Sequence, residues 1–187
     1  MNVARQSFTA EKRLYLLQNK QHMELYDHQP TEEVMPLSDY EIERDKPMPS
    51  FNHAIIQGNL ITELNMRYRK QYSVASEISL SLADWLSVPD LAIYPKRPLD
   101  FQNDQIKVKE VPLAVVEIIS PSQSLHELTD KARQYFEHGV QSCWLVLLPL
   151  TTICVFSSVN NYTFFRAHET LEDQVLSITL PLKEVFE

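Results

Sequence analysis

At 187 residues, 44% hydrophobic and 22% charged, the chain has the length and mixture of an ordinary soluble globular domain, and it contains no internal repeat or low-complexity segment. A formal net charge of −8 argues against tight, non-specific gripping of duplex nucleic acid by a monomer; phosphate contact would need a local basic patch or divalent cations. No apolar stretch reaches the length of a membrane span, residues 1–13 lack the apolar block of a secretion signal, and Cys143 and Cys154 make neither a disulfide framework nor a zinc motif. A cytoplasmic location without a membrane partner is the expectation, with both cysteines as core filler.

In chain order, residues 10–19 predict a short amphipathic helix with Leu14, Leu17 and Tyr15 inward. Residues 26–50 are acidic, broken by Pro30, Pro36, Pro47 and Pro49, and read as an irregular arm. Residues 51–70 predict a helix capped by Asn52, with Ile55, Ile56, Leu60, Leu64 and Tyr68 as its apolar stripe. A strand is expected over 72–82, its tail alternating so that one face is covered, and another over 86–94, interrupted by Pro89-Asp90. Residues 95–111 read as a long polar loop. Residues 113–119 are apolar and β-branched, the pattern of a strand buried on both faces.

Ser124 and Glu127 fit a capping box that opens a helix. Leu125, Leu128, Ala132, Tyr135 and Phe136 lie on its inner face, and Gly139 ends it. Residues 143–148 close a strand–helix–strand unit whose crossover should be right-handed. A hairpin over 152–166, a final strand over 175–180 and a closing helical turn over 181–186 complete the chain. This order predicts a mixed sheet with helices on both faces.

The chemistry gathers on a few side chains. Glu117 lies inside the buried strand and cannot stay ionised there without a partner. Asp90 follows a proline where a strand begins, and Lys131 sits on the flank of the following helix. Neighbouring strands are ~4.8 Å apart, so two carboxylates on one face can share a hard dication such as Mg2+, which takes oxygen ligands. Each residue also has a plainer reading: an ion pair for Glu117, a turn for Asp90, a snorkelling chain for Lys131, an exposed strand position for Glu77. His53, in the first turn of its helix, could approach the site or serve the structure. Trp144 and Tyr135 read as core, and His126 and His138 as solvated. Arg67, Arg69 and Lys70 suit a helix C-terminus. Lys96, Arg97, Lys107 and Lys109 in the long loop are the candidates for phosphate contact.

Pro89-Asp90, Val116-Glu117-Ile118, Ser120-Pro121-Ser122, Lys131, Tyr135, Gly139-Val140 and Cys143-Trp144-Leu145-Val146 stand in an order and spacing that resembles the Uma-two family, classed with the endonucleases of the PD-(D/E)XK superfamily. The resemblance implies an α/β restriction-endonuclease-like core, a central mixed β-sheet flanked by helices (αβββαβ), plus a C-terminal antiparallel β extension. It implies one nuclease-like domain over 1–187: a helix and arm over 1–50, a catalytic core over 51–149, and hairpin, final strand and turn over 150–187. It implies Asp90 and Glu117 as metal ligands with the Ile118 carbonyl, Mg2+ or Mn2+ as the ion, DNA as substrate and a homodimer as the working form. The superfamily's lysine lies two residues after the glutamate, where this chain has Ile119; Lys131 occupies the place from which the family supplies it. Glu77 would add a further carboxylate, and His53 a substrate contact. Two alternatives stay open: a silent interaction or DNA-binding module on the same fold, and a metal-dependent hydrolase of a smaller phosphoester.

Overall fold

The computed structural model describes residues 49–119 and 123–187; the segments expected over 10–19 and over most of 26–50 lie outside the described residues, as do Ser120, Pro121 and Ser122. Helix α1 (Phe51–Tyr68) opens on Ser50, whose hydroxyl accepts the His53 N–H at 3.4 Å, so the cap is Ser50 and not Asn52. Ser50 has the extended backbone that a cap requires. Ile56, Leu60 and Leu64 are buried on its inner face, whereas Ile55 points outward at 46% exposure.

The strand expected over 72–82 divides into β1 (Tyr72–Ser76) and β2 (Ser79–Leu82), because Glu77 adopts a left-handed backbone with φ +57°. Next come β3 (Trp85–Ser87) and β4 (Leu91–Pro95), parted at Pro89-Asp90 as the sequence suggests, and a short β5 (Lys107–Val108) inside the polar loop. Then follow β6 (Ala114–Ile118), α2 (Leu125–Glu137) and β7 (Ser142–Leu147). The capping box at Ser124 and Glu127 forms in both directions, and Gly139 at φ +93° ends α2. The hairpin is β8 (Thr152–Ser158) with β9 (Asn161–Arg166). The expected last strand is β11 (Ile178–Pro181), paired with an unforeseen β10 (Thr170–Asp173), and α3 (Lys183–Phe186) closes the chain.

Six strands form the central sheet in the order β1-β4-β6-β7-β8-β9, with β6 and β7 parallel and the other pairs antiparallel. It is therefore mixed, and α2 is the crossover between its parallel pair. Side chains alternate across each strand. Leu91, Ile93, Val116 and Trp144 pack against Ile56, Leu60 and Leu64 of α1, while Ala92, Val115, Cys143 and Leu145 pack against Leu128, Ala132 and Tyr135 of α2. The two helices thus cover opposite faces. A three-stranded sheet, β3-β2-β5, and the β10-β11 pair complete the architecture.

Leu125 departs from the expected inner face: at 53% exposure in the first turn of α2, it lines an open apolar groove instead. His138 is not solvated. Its side chain is 15% exposed, packed 5.2 Å from the Trp85 ring, with Nδ1 2.7 Å from the Gln134 carbonyl. Cys143 and Cys154 are buried free thiols. Among the described residues no helix is long and apolar enough to cross a membrane.

Candidate metal centre

The β4–β6 ladder pairs Leu91 with Val116, so one further step sets Asp90 beside Glu117. There the backbone ladder gives way to a side chain: the Ile118 N–H donates to Asp90 Oδ2 at 2.6 Å. Asp90 Oδ1 lies 2.9 Å from His53 Nε2, and the Asp90 carbonyl accepts from Gln57 Nε2 at 3.1 Å and from the Glu77 N–H at 3.2 Å. Gln57 Nε2 also reaches Glu77 Oε1 at 3.4 Å. His53 and Gln57 are one helical turn apart, so a single face of α1 grips both acids. Asp90 and His53 are both fully buried. One ligand atom from each of His53, Glu77 and Asp90 lies within 4.8 Å of the others, which is the donor chemistry a divalent cation takes.

Glu117 is engaged from the opposite layer. It is 2% exposed, and its Oε1 accepts from the Tyr135 hydroxyl at 2.6 Å and pairs with Lys131 Nζ at 2.7 Å. The Tyr135 hydroxyl also meets Ser87 Oγ at 2.7 Å. Burial, and then the charge of Glu117, push the Tyr135 phenol well above its usual range, so it stays a proton donor to the carboxylate. The candidates thus form two groups, His53–Glu77–Asp90 on the α1 side and Glu117–Lys131–Tyr135 on the α2 side, joined through the amide of Ile118.

The basic candidates lie elsewhere. Lys96 and Arg97 follow β4 at the end away from Asp90; Lys96 lines a depression with Asn65, Met66 and Arg69, while Arg97 pairs with Glu110 and covers the Tyr94 ring. Lys107 and Lys109 are exposed on either side of Val108, and the β2–β5 pairing sets Lys107 opposite Ser79, two residues past Glu77.

Gln57 and Ser87 are not singled out by the sequence, and Tyr135 enters there as core and as part of the family pattern, without a partner assigned. Helical spacing held the signal for two of them, since Gln57 is one turn after His53 and Tyr135 one turn after Lys131. Ser87 carried none.

Burial alone does not mark a site. Asp173 is 1% exposed, but Ser142 Oγ, Trp144 Nε1 and the N–H groups of Val175 and Leu176 satisfy it at 2.6, 2.7, 2.9 and 3.1 Å. An apolar cavity of about 450 Å3 between α2 and strands β7, β8 and β9 contains none of the candidate acids.

Residues 20–185 match the family described as "Uma2: Putative restriction endonuclease". Among solved structures, the chain is similar to a crystal structure from Anabaena variabilis titled as that of a "putative nuclease belonging to DUF820". The likeness has a TM-score of 0.64 at 22% identity and covers 75% of this chain and 83% of that one, a match of fold. No curated protein matches the chain.

Proposed function

The chain belongs to the Uma2 family, and from that membership we propose that it is an Mg2+-dependent endonuclease, with Mn2+ as a substitute ion, that hydrolyses phosphodiester bonds in DNA. The observation that carries this reading is the junction of β4 and β6, where the peptide after Glu117 is hydrogen-bonded to the Asp90 carboxylate. Asp90 would hold the ion from the α1 side with Glu77 as a further carboxylate, and Glu117, whose Oε1 is taken by Tyr135 and Lys131, would join it from the α2 side with the Ile118 carbonyl. When bound, the ion would polarise the scissile phosphate and lower the pKa of a coordinated water.

The chain's own groups then have separate tasks. The Ile118 amide fixes one oxygen of Asp90. Tyr135 holds Glu117 by a donated proton. Lys131 is 25% exposed, so its ammonium can turn from Glu117 toward the attacking water or the charge developing on the phosphate. Lys96, Arg97, Lys107 and Lys109 would contact flanking phosphates. Residues 51–149 form the catalytic core in this reading, 1–50 an arm and 150–187 an extension, in a cytoplasmic homodimer.

A second reading has one observation in its favour. Lys131 and Tyr135 already compensate Glu117, an arrangement that a silent nuclease-fold module could keep without any ion. Supercoiled plasmid with Mg2+ separates the two. Nicking by the wild type, lost in Asp90→Ala and Glu117→Ala proteins that keep their circular dichroism, supports the nuclease. Cleavage that persists in purified Glu117→Ala sinks it.

A further inference from the structure

We propose that His53 gives the cation site a nitrogen donor beside Asp90 and Glu77, so that the site favours a first-row transition dication such as Mn2+ or Co2+ over Mg2+. This rests on the reading of the chain as a cation-dependent nuclease, with Mg2+ remaining a usable but weaker-bound ion.

The imidazole is fully buried, and its Nε2 stands 2.9 Å from Asp90 Oδ1. Two donors each ~2.1 Å from one ion and ~90° apart lie about 3 Å from each other, so this is the spacing of adjacent ligands as well as of a hydrogen bond. A Glu77 oxygen completes the triangle within 4.8 Å.

Two further features set this cluster apart from ordinary core. Among the described residues nothing hydrogen-bonds to the buried His53 Nδ1, so the ring's polar contact is made on its Asp90 edge. Glu77 takes a left-handed backbone, φ +57°, without being glycine, and its carboxylate comes to lie by Gln57 and Asp90. A left-handed backbone that brings a carboxylate to a buried imidazole–carboxylate pair is local strain of the kind found at sites shaped for something they bind. Mg2+ keeps to oxygen ligands and water, whereas an imidazole donor shifts preference toward later first-row ions.

The test is pulsed electron paramagnetic resonance on the full chain loaded with Mn2+, prepared with natural-abundance and with 15N-labelled histidine. The expected spectrum carries a nitrogen coupling that changes with the label and disappears in His53→Gln. The preference for Mn2+ over Mg2+, read by calorimetry, should fall about tenfold in that variant. If His53→Gln does not fold, the isotope comparison on the wild type decides alone. Bound Mn2+ without a histidine coupling, or with one that survives in His53→Gln, overturns the proposal and leaves the nuclease reading standing. Failure to bind either ion overturns both.

Discussion

The main-chain amide of Ile118 is bonded to the side chain of Asp90 at 2.6 Å, so the strand carrying Glu117 fastens the acid that begins the neighbouring strand. A charge-assisted bond of this kind contributes about 1.5–3 kcal/mol, and removing its acceptor strands a buried donor. Asp90→Ala should therefore destabilise the fold by roughly 2–3 kcal/mol in urea unfolding. Asp90→Asn keeps an acceptor in place and should lose less than half of that. Both should lose plasmid cleavage. A pair of variants equal in stability would show that the amide bond contributes little.

Tyr135 joins Ser87 to Glu117, and its removal should separate positioning from folding. Tyr135→Phe deletes the proton donated to Glu117 and leaves the Ser87 hydroxyl without that contact, at a cost of about 1–2 kcal/mol. Since the ring still fills its place, the protein should remain folded, with kcat reduced about tenfold or more and KM for DNA little changed. A matching rise in KM with unaltered kcat would mean that Tyr135 serves substrate binding instead.

The fold was largely legible because its signals are local. The apolar run around Glu117, the Ser124 capping box, Gly139 and the Pro89-Asp90 break each act within a few residues, and each appears where the pattern puts it. Glu77 was harder. Its left-handed backbone carries no glycine to announce it, and an alternating tail reads equally well as one strand or two. The site was visible as residues but not as partners. Nothing in the spacing says that His53 meets Asp90 across 37 positions or that Tyr135 meets Glu117 across 18, because layer packing sets those distances. Tyr135 also shows that core and site are not exclusive, since one side chain fills the α2 face and holds a carboxylate.

Alkaline pH should unfold the protein through groups buried in their neutral form. Burial raises Tyr94 from 10.0 to about 12 and Cys154 from 9.0 to about 12, and pushes Tyr135 and Cys143 well above their usual ranges. In each case the unfolded chain gives up its proton first, so stability is fully present below pH 9, begins to fall as unfolded cysteine ionises and falls faster past pH 10. A group that ionises tenfold more readily in the unfolded chain than in the folded one removes about 1.4 kcal/mol once the pH has passed both values. Four such groups acting together should therefore move the unfolding midpoint well beyond measurement error. Urea midpoints measured from pH 8 to 11.5 should decline in that order. A flat profile to pH 11 would contradict the burial of these groups.

Asp173 offers the control for every claim about buried acids. It holds β10 and the following turn to β7 through four donated hydrogens, and no candidate ligand shares them. Asp173→Ala should cost about 3 kcal/mol or more, since it strands the Trp144 and Ser142 donors together with two amides. Mn2+ affinity at temperatures where the variant is folded should stay within about twofold of wild type, for distant sites act independently.

Of the cations in the long loop, Lys107 is set opposite Ser79 by the β2–β5 pairing, two residues past Glu77. Lys96 and Arg97 sit beyond the far end of β4, about 20 Å along a strand from Asp90 at ~3.3 Å per residue, and Arg97 is already paired with Glu110. If a phosphate is placed against Asp90 and Glu77, Lys107→Ala should lower the slope of log affinity against log salt by about one for a catalytically dead Glu117→Gln protein on duplex DNA. Arg97→Ala should change it by less, because the guanidinium must first leave Glu110. Fluorescence anisotropy over 50–200 mM salt measures both slopes, and a larger effect at Arg97 would move the DNA path to the opposite end of the sheet.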